Sequence, residues 1–174
     1  MRLLVYGFGP YRGFHENVTE TIVRKLPKRR WMKKLIFAVR FHRGQFIKAV
    51  KRYQPDVILG LGQSSKGRLL RIESRAVNRK RNNKTEKAKP ILRAGSRRLV
   101  TNLRLNLGQQ SRSSNNAGDY VCNYSMYVIL DFIKRRRLPV RYGFIHVPHQ
   151  YDTKKAIRLS LEAIDRIGDT KQKG

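Results

Sequence analysis

Apolar runs of strand length alternate with helical stretches along most of this chain, and that alternation restricts the fold more than any single residue does. A strand at 2–6 precedes a helix at 18–26, whose start is marked by Asn17 and, three residues on, Glu20, and whose stop is Pro27. A strand at 35–41 and a helix at 45–53 follow. Pro55 opens the strongest strand signal, Val57-Ile58-Leu59, which a glycine-rich turn from Gly60 to Gly67 ends near residue 61. Residues 69–78 read as extended, 79–89 as a mobile basic loop, and 91–110 carry no clear period. A helix over 122–137, a strand over 140–147 and a helix over 153–167 complete the chain, with 168–174 expected as a disordered tail. The last helix shows its apolar stripe at Ala156, Ile157, Ala163, Ile164 and Ile167. The expected architecture is a three-layer α/β/α sandwich with a mainly parallel central sheet. At 174 residues this makes a single domain, 1–174, with one core.

One cysteine occurs, Cys122, and it falls in the first turn of the 122–137 helix. There the positive end of the helix dipole favours the thiolate, the reactive form of the side chain. A lone cysteine is often only a small buried hydrophobe, so its partners decide between the two readings. A cysteine nucleophile needs a base, and the base needs a group to orient it.

Four histidines are available. His146 lies in Gly143-Phe144-Ile145-His146-Val147-Pro148, near the carboxyl end of a strand that Pro148 should stop. Ligands of open α/β sheets gather at such ends. The spacing of His146 and His149 makes a weak metal site, since a proline intervenes and no carboxylate or thiolate cluster accompanies them, so neither metal nor cofactor is expected. Acids are as scarce: Asp and Glu number 11, against 40 Lys and Arg. Glu73 follows the glycine-rich turn, flanked by Arg71 and Arg75 on the same strand face. The catalytic candidates are therefore Cys122, His146 and Glu73.

Four motifs, in order, resemble the pyroglutamyl peptidase I family, cysteine peptidases that remove an N-terminal pyroglutamate (5-oxoproline) from peptides. They are Gly7-Phe8-Gly9-Pro10-Tyr11 with Asn17; Gly62-Gln63 with Glu73-Ser74-Arg75-Ala76-Val77-Asn78; Ala117-Gly118-Asp119-Tyr120-Val121-Cys122-Asn123; and Gly143-Phe144-Ile145-His146-Val147-Pro148. The resemblance implies the same Cys122, His146 and Glu73 as catalytic residues. It also implies that Phe8 and Tyr11 hold the lactam ring, that the Gln63 backbone meets the ring amide and that Val121 completes the wall. Peptides with an N-terminal pyroglutamate are the implied partners, and a homo-oligomer, dimer or tetramer, is the implied assembly.

The chain departs from the family pattern at several places. Tyr11 replaces a phenylalanine, and Arg12 a glycine, where it would narrow the entrance or favour acidic residues after the pyroglutamate. Asp119 replaces a small hydroxyl residue and brings a negative charge toward the thiol, which would raise its pKa unless the carboxylate caps backbone amides. Arg79-Lys80-Arg81-Asn82-Asn83-Lys84 stands where the family has an Arg-Pro-Asp segment. The stretch 101–116 is shorter than the family's, so a truncated helix is expected there.

A formal charge of +29 raises a rival reading, an inactive or repurposed family member whose basic surface binds nucleic acid or another polyanion. The cations are spread over many segments, and no aromatic RNA-binding signature or zinc-finger spacing accompanies them. A solvated basic surface is the simpler account. No apolar run approaches the roughly 18 residues of a membrane span. With one thiol there is no intrachain disulfide, and a cytoplasmic location is expected.

Overall fold

Strands apolar on both faces need a helical layer on each side, and this chain supplies two helices to each. The computed structural model describes residues 1–11, 13, 15–65 and 67–169. In order these form β1 (Leu3–Phe8), α1 (Val18–Lys25), β2 (Met32–Phe37), α2 (Arg43–Tyr53), β3 (Val57–Ser64), β4 (Leu70–Glu73) and β5 (Arg75–Val77). Then come β6 (Arg98–Val100), β7 (Ser111–Ser114), α3 (Val121–Arg135), β8 (Arg141–Pro148) and α4 (Thr153–Asp169). Six strands make one sheet in the order β2-β1-β3-β8-β4-β7, parallel except where β4 runs against β8, while β5 and β6 form a separate antiparallel pair. This is the expected α/β sandwich.

Alternation along the strands sorts the core into two layers. Leu4, Tyr6, Ile58, Tyr142 and Phe144 pack with Phe46 of α2 and Val128 of α3. Leu3, Val5, Leu59, Leu61 and Ile145 pack with Ile22 of α1 and Ile164 of α4. By the same alternation His146, two residues beyond Phe144, faces the layer of α2 and α3. That choice of face puts it on the side of Cys122.

Several boundaries differ from expectation for local reasons. β2 spans Met32–Phe37, and not 35–41. It is an edge strand, where Lys33 and Lys34 are tolerated. The Lys34 ammonium also caps α1 by donating to the carbonyl of Arg24 at 2.9 Å. Beyond Phe37 the chain bends sharply, with the N–H of Arg40 donating to the Ala38 carbonyl and that of His42 to the Arg40 carbonyl. β3 does not stop at residue 61 but continues through Gly62 to Ser64, paired with β8 along its whole length. β8 does end at Pro148, as the sequence predicts, with Pro148 the register partner of Ser64 at the strand's last position. α4 runs on through Gly168 and Asp169, which the sequence pattern places in the tail; residues 170–174 lie outside the described residues. Between 101 and 116 stand a single 3-10 turn, Gly108–Gln110, and β7.

At the start of α1 the Asn17 side chain accepts from the N–H of Thr19 at 3.0 Å, while Glu20 turns to Arg24, 2.7 Å away. Around the basic segment, Lys80 and Lys89 form an antiparallel bridge, and Asn123 ties down its start by donating to the carbonyl of Arg79 at 2.8 Å. No helix among the described residues is long and apolar enough to cross a membrane.

Candidate active site

The carboxyl ends of β1, β3 and β8 lie side by side and face the start of α3. Gly118, at φ +80°, adopts a conformation that side-chain-bearing residues avoid and turns the chain into Tyr120, the extended residue that opens the helix. The Tyr120 carbonyl accepts from Tyr124, and Cys122 is the second helical residue. A chain of hydroxyls ties this turn to the sheet: Ser125 Oγ donates to the Cys122 carbonyl at 2.8 Å and lies 3.0 Å from Tyr6 Oη, itself 2.7 Å from Tyr142 Oη.

The sulfur rests above Gly62. A Cβ at that position would lie 2.7 Å from Cys122 Sγ and 2.6 Å from the Phe144 ring, so only glycine leaves room there. Gly62 is the register partner of His146 on the neighbouring strand, and partners across a parallel pair point to the same face. The thiol thus lies over the strand position beside His146. His146 is buried, its ring edge-on to Phe144 at 5.1 Å, and its Nδ1 lies 2.7 Å from Oε1 of Glu73. Glu73 comes from β4, where Arg71 pairs in antiparallel register with His146. The Arg71 guanidinium reaches the same Oε1 at 3.4 Å.

Burial would push the Glu73 carboxyl up, but the hydrogen bond and charge of His146, with Ser114 and Arg71, hold it below its usual range. Burial pulls His146 below the ordinary histidine value, against the pull of Glu73 in the other direction. A neutral ring donating from Nδ1 to a carboxylate keeps Nε2 as its proton acceptor. The thiol departs from the sequence expectation. Burial first, and then the Glu73 charge, push Cys122 up to about 12, and Arg71 and the residue's own backbone N–H oppose this. The helix start is outweighed by burial first, and then by the Glu73 charge that also lies against His146. Cys122 is only part-buried and opens on a cleft, so water there tempers the effect.

Asp119 is not what raises the thiol. Its Oδ2 lies 2.7 Å from Nε of Arg81 and 3.8 Å from Nε of Arg79, and its backbone carbonyl accepts from the N–H of Arg81. The basic segment after β5 thus neutralises Asp119.

The cleft has a volume of about 550 Å³ and is lined by Phe8, Tyr11, Gln63, Val121 and Cys122. Four of these are the residues expected to hold substrate. Gln63 Oε1 is committed to the N–H of Val18 at the head of α1, at 2.8 Å. The pairing of β1 with β3 ends at Gly60, so the Gln63 backbone edge on that side meets no strand among the described residues. Arg12 lies outside the described residues. Sequence reasoning missed Arg40, Phe41 and Asn82 in the lining. In sequence Arg40 and Phe41 read as part of a strand, and only the bend after β2 turns them into the cleft.

A cleft at the strand ends, with a cysteine on its wall and a hydrogen-bonded histidine and glutamate nearby, is the arrangement that a hydrolase of the cysteine-peptidase class requires. The family model described as pyroglutamyl peptidase matches residues 1–158. The chain belongs to the pyroglutamyl peptidase family. It is 31% identical to a pyrrolidone-carboxylate peptidase of Staphylococcus saprophyticus, over 97% of this chain and 89% of that one. It is 28% identical to the pyrrolidone-carboxylate peptidase of Lactobacillus acidophilus, over 85% and 84% of the two chains. The fold matches that of a mutant pyrrolidone carboxyl peptidase from Pyrococcus furiosus with a TM-score of 0.85, at 24% identity over 95% of this chain and 97% of that one.

Proposed function

We propose that this protein hydrolyses the amide bond after an N-terminal pyroglutamate, with Cys122 as nucleophile, His146 as general base and acid, and Glu73 as the group that orients and charges the histidine. The observation that carries the assignment is the Nδ1 contact of His146 with buried Glu73, on the strand beside the one that supports the thiol.

A neutral thiol and a neutral imidazole set the order of events. The S–H proton passes to Nε2 of His146 as Cys122 Sγ bonds to the pyroglutamyl carbonyl carbon, and Glu73 stabilises the imidazolium so formed. The carbonyl oxygen takes the negative charge, which the free N–H groups of the first helical turn receive, that of Cys122 among them. The imidazolium then protonates the departing amine as the C–N bond breaks, leaving a thioester. Water attacks the thioester, His146 takes its proton, and cleavage of the C–S bond releases pyroglutamate and returns the proton to sulfur.

A neutral lactam offers no charge to grip, so aromatic faces and a few directed hydrogen bonds suit it. Phe8 and Tyr11 supply the faces, the open backbone edge at Gln63 pairs with the ring amide, and Val121 closes the wall. A reducing cytoplasm suits a mechanism that needs a free thiol. The test is hydrolysis of a fluorogenic pyroglutamyl amide by the native protein and by Cys122→Ala. The native protein should turn it over, and the variant should lose at least about a thousandfold in kcat. Equal rates would end the assignment.

A further inference from the structure

The cleft has a volume of about 550 Å³, far more than one five-membered lactam occupies, so part of it is left for the peptide beyond the scissile bond. Among the described residues, Arg40 is the one lining side chain that carries a charge at neutral pH. It is exposed, its backbone is fixed by the bend after β2, and its guanidinium takes part in no ion pair among the described residues. The Lys80 ammonium lies 5.4 Å from the ring centroids of both Phe41 and Tyr124, and Phe41, which follows Arg40 in the chain, is itself part of the lining. The nearby acids are already engaged: Asp119 by Arg81 and Arg79, Glu73 by His146 and Arg71.

We infer that Arg40 makes this an enzyme for acidic peptides, preferring Asp or Glu in the residue released after the pyroglutamate. The inference rests on the proposed function and adds its substrate class. Two effects act in the same direction. An exposed guanidinium on the cleft wall, without an ion pair among the described residues, can receive a carboxylate with paired hydrogen bonds. A net charge of +29 surrounds the cleft with a positive field that draws anionic peptides in and turns cationic ones away. The lactam end is uncharged, so the discrimination falls on the second residue of the peptide and those beyond it.

The experiment compares kcat/KM for three pyroglutamyl tripeptide amides that differ only in the second residue, Glu, Ala or Lys, with released pyroglutamate quantified by mass spectrometry. At low ionic strength the Glu peptide should exceed the Lys peptide by about tenfold or more, and the ratio should shrink as salt is raised and the Debye length falls. Arg40→Ala should cut the ratio by about threefold or more, and Arg40→Glu further still. Because Arg40 is exposed, melting curves of both variants should match the native protein. A Glu-to-Lys ratio within about twofold at low salt, or one that Arg40→Ala leaves unchanged, overturns the inference while leaving the peptidase reading in place. Failure to cleave any of the three, the neutral peptide included, overturns the proposed function and this inference with it.

Discussion

Nδ1 of His146 lies 2.7 Å from a carboxylate oxygen of Glu73, in a part of the sheet where both side chains are buried. The same carboxylate raises the pKa of the histidine and also that of the Cys122 thiol. One charge therefore has two effects of opposite use, and several consequences can be measured.

Glu73→Gln keeps the shape and removes the charge. It should lower kcat by about a hundredfold or more, since the imidazolium loses its stabilising partner. Glu73 raises the His146 pKa, so the acid limb of the kcat/KM profile should move to lower pH in the variant. An unshifted limb would show that Glu73 does not act on the titrating base.

Cys122 should alkylate slowly at neutral pH in the free protein. With its pKa pushed up to about 12, the rate with iodoacetamide should keep rising well above the ordinary thiol range, with no plateau near neutrality. The folded thiol holds its proton more tightly than the unfolded one. Its contribution to stability is thus full below the unfolded thiol value and is lost as pH rises from there toward about 12. A plateau near neutral pH would mean a preformed thiolate-imidazolium pair.

The acid side has the opposite sign. Folded Glu73 and folded His146 both bind protons less readily than their unfolded forms. Stability should therefore be full above the unfolded histidine value of about 6.5 and fall as pH drops below it, first through His146 and then, below the unfolded carboxylate value, through Glu73. Urea denaturation at stepped pH measures this, and His146→Gln should flatten the upper part of the curve.

Gly62→Ala adds a methyl 2.7 Å from the sulfur and 2.6 Å from Phe144. It should cost about 1–3 kcal/mol of stability by overpacking and displace the thiol, so that activity falls by more than the stability loss explains. Calorimetry and single-turnover rates separate the two effects.

Asp119→Ala releases Arg81 and Arg79. Trypsin should then cut the 79–89 segment faster, while the thiol pKa stays put, because Asp119 is not among the charges acting on Cys122. A fall in the thiol pKa would revive the view that Asp119 presses on the sulfur.

With 40 basic and 11 acidic residues the folded chain repels itself. Its melting temperature should rise as sodium chloride is raised from about 20 to 300 mM, in contrast to proteins of balanced charge.

The sequence by itself was enough for the layered α/β architecture, because a strand buried on both faces and a helix buried on one leave different apolar periods. Scarcity did the same for the site candidates: with one cysteine, four histidines and few acids, Cys122, His146 and Glu73 stand out before any contact is known. Tertiary structure alone decided the rest, since it depends on what lies across the fold from each residue. Whether β3 stops at its glycines or runs through them depends on Tyr6, Phe144 and the thiol filling the space above them. A helix start seen in sequence promises a reactive thiolate, but burial in the fold and then the Glu73 carboxylate act against it. The acid at 119 looks like a hazard in one dimension and is paired with arginines brought in from the β5 side in three. Arg40 reads as a strand residue until the chain bends and turns it into the cleft. Electrostatics and cavity walls are set by neighbours distant in the chain, and only folding assembles them.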